Sequence, residues 1–134
     1  MNKPERISVR KAMRSDVTFI DGRENVLDAL RAMRDGECTS LIVEKRSDHD
    51  EHGILTLSDI AHQVIAKDRA PERVHVFEIM TKPLISVKPE MDIRYCARLF
   101  EKFGIRRAPV VEDDTVIGMI SYYHLVLEGL PDLD

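Results

Sequence analysis

Gly53-Ile54-Leu55-Thr56-Leu57-Ser58-Asp59-Ile60 (GILTLSDI) runs from a β-rich apolar stretch straight into a segment with helical spacing, with two hydroxyls and a carboxylate at the junction. Gly118 to Leu125 (GMISYYHL) repeats this shape 65 residues later and loses the acid, His124 standing where Asp59 stood. Working upstream, the chain matches itself without a gap from Met13 to Val43 at an offset of 67. Met13 falls on Met80, Ile20 on Val87, Val26 on Ile93, Ala29 on Cys96, Met33 on Phe100, Cys38 on Ile105 and Val43 on Val110. Apolar character is kept at each pair, so the chain holds two copies of one supersecondary unit, the first with two extra loop residues.

Within each copy the periodicity changes along the chain. Val26, Ala29, Leu30 and Met33, like Ile93, Cys96, Ala97 and Phe100, recur at helical spacing. Leu41 to Val43 with Ile54 to Leu57, and Ala108 to Val111 with Val116 to Ser121, read as strand pairs joined by polar turns. Asp59 to Lys67 and Tyr122 to Glu128 read as closing helices. The expected fold is α+β: two repeats of strand, helix, strand, strand, helix, packed with pseudo-two-fold symmetry. Repeat 1 spans residues 1–67, a linker around Pro71 spans 68–75, and repeat 2 spans 76–134. Each copy alone leaves much apolar surface uncovered, which makes pairing of the two the economical core.

At 15.4 kDa the chain can bury such a core, and a charged fraction of 33% is that of a soluble globular protein. No apolar run approaches the roughly 18 residues of a membrane span, and MNKPERISVR has no secretory h-region, so a cytoplasmic protein is expected. Cys38 and Cys96 lack partners at metal or redox spacing. A net charge of −4 lacks the basic footprint of a nucleic-acid binder. Asp48 to His52 (DHDEH) offers five metal-ligand types, but consecutive loop residues rarely converge on one ion, and a solvated acidic turn is expected. No nucleophile-and-base arrangement is visible, so no enzyme is expected.

The two copies in register, with Val9 to Met13 and Val76 to Met80 at their starts, the Ala29-to-Met33 helix, Ala108-Pro109-Val110-Val111 and GILTLSD, resemble the CBS domain. That family is named after cystathionine β-synthase and usually occurs as a tandem pair, the Bateman module. The likeness runs from about Val9 to Glu128 and leaves no catalytic domain on either side, so it implies a stand-alone regulatory module. The family binds adenosine-containing ligands (AMP, ADP, ATP or S-adenosylmethionine) in the cleft between repeats and needs no metal for it. By that likeness Asp59 accepts hydrogen bonds from the ribose hydroxyls, as a two-oxygen carboxylate can. Thr56 and Ser58 lie near ribose and phosphates, at the start of a helix expected at Asp59 whose free N–H groups favour phosphate.

The likeness further implies that Thr81 and Ser86 line the adenine side, that Ile105 packs on the ring, and that Arg106 or Arg107 meets the phosphates. In the companion site the equivalents are Arg14, Phe19, Cys38 and Thr39, with Tyr123 and His124 replacing Ser58 and Asp59, an arrangement poorly suited to a ribose diol. A purely structural role for Ser58-Asp59, as a helix cap, stands beside the ligand role, and Arg106-Arg107 reads equally as a solvated pair. The partners implied are an adenosine-containing small molecule, a second copy in a homodimer, and an unidentified regulated protein. Apolar Ile60, Val64, Leu125 and Val126 on the closing helices are expected to be covered by that second copy. The rival function is a constitutive dimerisation module with a vestigial site.

Overall fold

A computed structural model of the chain describes residues 6–83 and 85–130. In chain order the elements are α1 (Val9–Ala12), β1 (Phe19–Ile20), α2 (Val26–Asp35), β2 (Ser40–Val43), β3 (Gly53–Thr56), α3 (Leu57–Ile60), α4 (Val76–Ile79), α5 (Ile93–Phe103), β4 (Arg107–Glu112), β5 (Thr115–Ser121) and α6 (Tyr122–Gly129). A π-helical turn, Ala61–Ile65, continues α3, and a 3-10 turn spans Pro71–Arg73. Mixed helix and strand in two repeats is the expected architecture, with two differences: a short helix leads each copy, and the first strand of the second copy is reduced to the Val87–Val110 bridge. The outer ends of the two repeats, at 1–5 and 131–134, lie outside the described residues.

The compact units do not follow the repeats. One unit is Thr18–Pro83; the other joins Met1–Val17 to Leu84–Asp134. Each therefore contains the leading helix of the opposite repeat. In the Asp59 unit, β2 lies between β1 (parallel) and β3 (antiparallel), with Ser40 opposite Thr56 and Val43 opposite Gly53. Here α4 docks through Phe77 N–H to Gly22 C=O (2.9 Å) and Val76 N–H to Glu24 C=O (2.8 Å). Ile54 and Thr81 exchange both backbone hydrogen bonds, at 2.8 and 2.9 Å. The segment read as a linker contributes to this core: Val74 is 1% exposed, and its carbonyl accepts Val26 N–H.

The other unit, named here for His124, pairs β4 with β5 antiparallel, with a register shift at Val110/Val111, and Val87 bridges parallel to Val110 in the place β1 holds in the first. Its borrowed helix α1 is tied by Val9 N–H to Met91 C=O (2.8 Å), while Arg14 exchanges two backbone bonds with Met119, each 2.9 Å. Local signals set the long helices. Asn25 and Asp92 cap α2 and α5 with their side-chain oxygens, and Gly104, at φ 64°, ends α5 in the left-handed conformation. Val26, Ala29 and Met33 point from α2 into one core; Ile93, Cys96 and Phe100 point from α5 into the other.

Three of the four apolar residues expected at an interface lie inside their own units. Ile60, Val64 and Leu125 are 4%, 2% and 5% exposed; only Val126 faces outward. The cause is helical phase: Ile60 and Val64, one turn apart, and Leu125 form the stripe that each closing helix lays on its own sheet. The first closing helix also starts two residues earlier than expected, at Leu57 with Thr56 as its cap.

Both borrowed helices press a methionine onto a strand glycine. A Cβ on Gly53 would stand 2.6 Å from Met80 Sδ, and one on Gly118 would stand 2.6 Å from Met13 Sδ and 2.8 Å from Arg14 O. A methionine end can move aside, whereas the Arg14 carbonyl is fixed by its bonds to Met119. Gly118→Ala is therefore expected to destabilise by about 1–3 kcal/mol, and Gly53→Ala by clearly less. Urea unfolding of both variants measures this ordering; equal losses would contradict it.

Candidate functional site

The β2–β3 ladder ends at Ser40 and Thr56, and the chain turns there into α3. Thr56 and Asp59 close this turn reciprocally. The Thr56 hydroxyl accepts Asp59 N–H (3.2 Å), and Asp59 Oδ2 accepts Thr56 N–H (2.9 Å), a capping box. Thr56 Oγ1 lies 3.0 Å from Ser58 Oγ, and Thr81 Oγ1 donates a long bond to Asp59 Oδ1 at 3.4 Å. Four of the expected site residues, Thr56, Ser58, Asp59 and Thr81, thus form one polar cluster within one unit. Asp59 is half-buried while Ser58 and Thr81 are exposed, so the cluster opens to solvent.

The capping box also corrects the expectation of free helical N–H groups. Thr56 and Asp59 N–H are consumed by the box, and Leu57 N–H donates to Thr39 C=O at 3.2 Å. Of these N-terminal amides only that of Ser58 has no intramolecular acceptor among the described residues. What the cluster offers is carboxylate and hydroxyl chemistry: each Asp59 oxygen already has one donor and keeps a second lone pair for another. Thr39 and Ser40, which the likeness set in the companion site or left out, sit beside this cluster, Thr39 through its carbonyl on Leu57 N–H and Ser40 opposite Thr56. The antiparallel register of β2 with β3 was the available signal.

Ser86, Ile105, Arg106 and Arg107 belong to the other unit. There Arg107 stands opposite Ser121 in the β4–β5 ladder, Arg106 C=O accepts Tyr122 N–H (3.2 Å), Ile105 packs on the core, and Ser86 is exposed. Arg106 and Arg107 thus occupy the positions that Thr39 and Ser40 occupy beside Asp59. The acidic loop is used structurally: Asp50 accepts Lys82 Nζ at 2.8 Å and Arg46 N–H at 3.2 Å, and Lys82 also reaches the Glu51 carbonyl. Among the described residues no group of three or more His, Cys, Asp or Glu is placed to hold a metal, and no helix is long and apolar enough to cross a membrane.

His124 reproduces the capping role of Asp59 with different chemistry. Its Nδ1 accepts Ser121 N–H at 3.2 Å and lies 2.9 Å from Ser121 Oγ. A backbone N–H can only donate, so Nδ1 is the unprotonated nitrogen and any ring proton is on Nε2. Burial pushes the imidazole below the usual histidine range, the Arg14 charge acts the same way, and Glu128 pulls weakly against them. A pKa lower in the folded than in the unfolded chain means that the stabilisation is complete above the ordinary value of about 6.5 and is lost as pH falls through the folded value. The thermal midpoint should therefore fall on going from pH 7.5 to 5, with a smaller drop in His124→Gln. An unchanged drop in that variant would contradict this role for His124.

The CBS-domain family profile matches residues 9–66 and 76–129. An uncharacterized protein of Methanopyrus kandleri is 28% identical over 116 residues, covering 86% of this chain and 59% of that protein. A mitochondrial CBS domain-containing protein of Arabidopsis thaliana is 32% identical over 101 residues, covering 73% of this chain and 49% of that one. The chain thus spans between about half and three-fifths of these relatives. In structure it resembles the hexameric CBS-CP12 protein from bloom-forming cyanobacteria at a TM-score of 0.87 and 37% identity, covering 94% of this chain and 74% of that one. With both repeats matched in register, the chain belongs to the CBS-domain family, as a tandem pair.

Proposed function

We propose that this tandem CBS module is a regulatory sensor of an adenosine-containing ligand, AMP, ADP, ATP or S-adenosylmethionine, and carries no catalysis of its own. The observation that supports it is the solvent-open cluster of Thr56, Ser58, Asp59 and Thr81, in which a carboxylate with spare lone pairs stands among three hydroxyls. A ribose diol is complementary to such a carboxylate, each hydroxyl donating to one oxygen. At the equivalent turn of the His124 unit, Tyr123 and an imidazole with one acceptor nitrogen offer a diol much less. Occupancy acts by favouring one state of the module over another, for which a differential affinity of about 1–3 kcal/mol suffices.

The capping box favours a second reading. Asp59 already has a structural task, so a constitutive interaction module that keeps the acid only as a helix cap would show the same bonds. In either reading the outward face of α6, with Tyr123, Val126 and Leu127 exposed and Leu130 exposed just after it, suits self-association of this cytoplasmic-type module into a homodimer or larger ring that engages a regulated protein.

Calorimetry with AMP, ADP, ATP and S-adenosylmethionine separates the readings. One site per chain is expected, with Asp59→Ala weakening binding by about 1.5–3 kcal/mol, ~10- to 150-fold, and His124→Ala changing it little. Silence with all four ligands would leave the constitutive module as the better account. Sedimentation should show a species larger than the 15.4 kDa chain; a monomer at micromolar concentration would exclude the association.

A further inference from the structure

The Asp59 unit holds a concavity at the far end of the ladder from Asp59, where Val43 pairs with Gly53. Its volume is about 570 Å³, within the range of small-molecule sites. The apolar lining is Gly22, Val43, Phe77 and Met80, brought together because α4 packs directly on the β1–β2 end: a Cβ on Gly22 would stand 3.2 Å from Phe77 Cβ. Neither the ribose-diol reading nor the residues assigned to it reach this cavity.

The charges around it divide into committed and uncommitted groups. Asp21 is held by Arg23 through a bond of 2.8 Å to the guanidinium and one of 2.8 Å to the backbone N–H, which, with a contribution from Arg46, keep its carboxyl at about 2. Asp50 is taken by Lys82 and the Arg46 amide, and Lys45 is partnered as well. That leaves two. The Glu44 carboxylate and the Arg46 guanidinium have no hydrogen-bond or salt-bridge partner among the described residues, and Arg46 lies 4.7 Å over the Phe77 ring. One anion and one cation fork, neither hydrogen-bonded, beside an apolar floor are the complement of a molecule with one ammonium, one carboxylate and an apolar body.

We propose that this cavity binds an α-amino acid with an apolar side chain, its ammonium on Glu44, its carboxylate on the Arg46 fork and its side chain against Val43, Phe77 and Met80. A guanidinium takes a carboxylate bidentately and stacks on an aromatic face at the same time, which suits Arg46 to the task. The cavity and Asp59 sit at opposite ends of β2 and β3, so the assignment stands whether or not the chain binds adenosine.

Calorimetry on the full chain with L-leucine, L-methionine and L-phenylalanine tests it. At least one should bind once per chain. For that amino acid the amine lacking the carboxylate and the acid lacking the ammonium, isopentylamine and 4-methylpentanoate in the case of leucine, should each bind at least ~10-fold more weakly, as loss of a charged hydrogen bond implies. Arg46→Gln and Glu44→Gln replace exposed side chains, so both should fold; each should weaken the amino acid by a similar factor, and amide shifts in the wild type should centre on Gly22 and Lys45. No binding by any of the three, a half-ligand as tight as its amino acid, or unchanged affinity in both variants would overturn the assignment.

Discussion

The antiparallel pairing of Ser40–Val43 with Gly53–Thr56 fixes where every chemically active group of the Asp59 unit can stand. A slip of one residue would turn each side chain to the opposite face and take Thr56 out of line with Ser40. In the register observed, Leu41, Ile42, Val43, Ile54 and Leu55 are buried and the hydroxyls gather at one end of the ladder. The capping box then locks that end. Thr56 is at once the last strand residue and the helix cap, so the direction in which α3 leaves the sheet follows from two hydrogen bonds made by Thr56 and Asp59. Asp59 is held in place by the same contacts that leave its remaining lone pairs facing solvent, which is the preorganisation a ligand-binding carboxylate needs.

The exchange of leading helices follows from the same economy. A two- or three-stranded sheet with one long helix leaves its second edge and a strand glycine uncovered, and a short helix carrying a methionine supplies both needs. Met80 covers Gly53 while the adjacent Thr81 pairs with Ile54; Met13 covers Gly118 while Arg14 pairs with Met119. Thr81 consequently reaches Asp59 from a segment of the second repeat while lying in the same compact unit. The cluster is therefore assembled from both repeats even though it belongs to one unit.

Much of this was legible in the residues and some was not, for identifiable reasons. The long helices, the strand pairs and the turn at Thr56 were visible because apolar period, capping residues and β-branched runs agree there. The exchange was invisible because Met13 and Met80 are alike, as are Gly53 and Gly118: either methionine would satisfy either glycine. Val74 was hidden in a polar, proline-bearing segment that reads as a linker, yet its carbonyl accepts Val26 N–H and its side chain enters the core. The stripe of Ile60, Val64 and Leu125 was visible as apolar but not as inward-facing, since periodicity gives a face and not its partner. At the site, the type of chemistry was readable from Thr56, Ser58 and Asp59. The capping box that consumes the helix amides depended on the helix starting at Leu57, a boundary that sequence reads to within a few residues.

The central claim is that Asp59 is an acceptor for a ribose diol as well as a helix cap. It is tested most directly by pairing the residue with the group it should hold: affinities of AMP and 2′-deoxy-AMP for the wild type and for Asp59→Asn, which keeps the side chain's size. The account predicts that the wild type prefers AMP by ~10-fold or more, one charged hydrogen bond's worth, and that the preference shrinks to near unity in Asp59→Asn. A preference undiminished by the substitution, or none in the wild type, would contradict it and leave Asp59 with the cap alone.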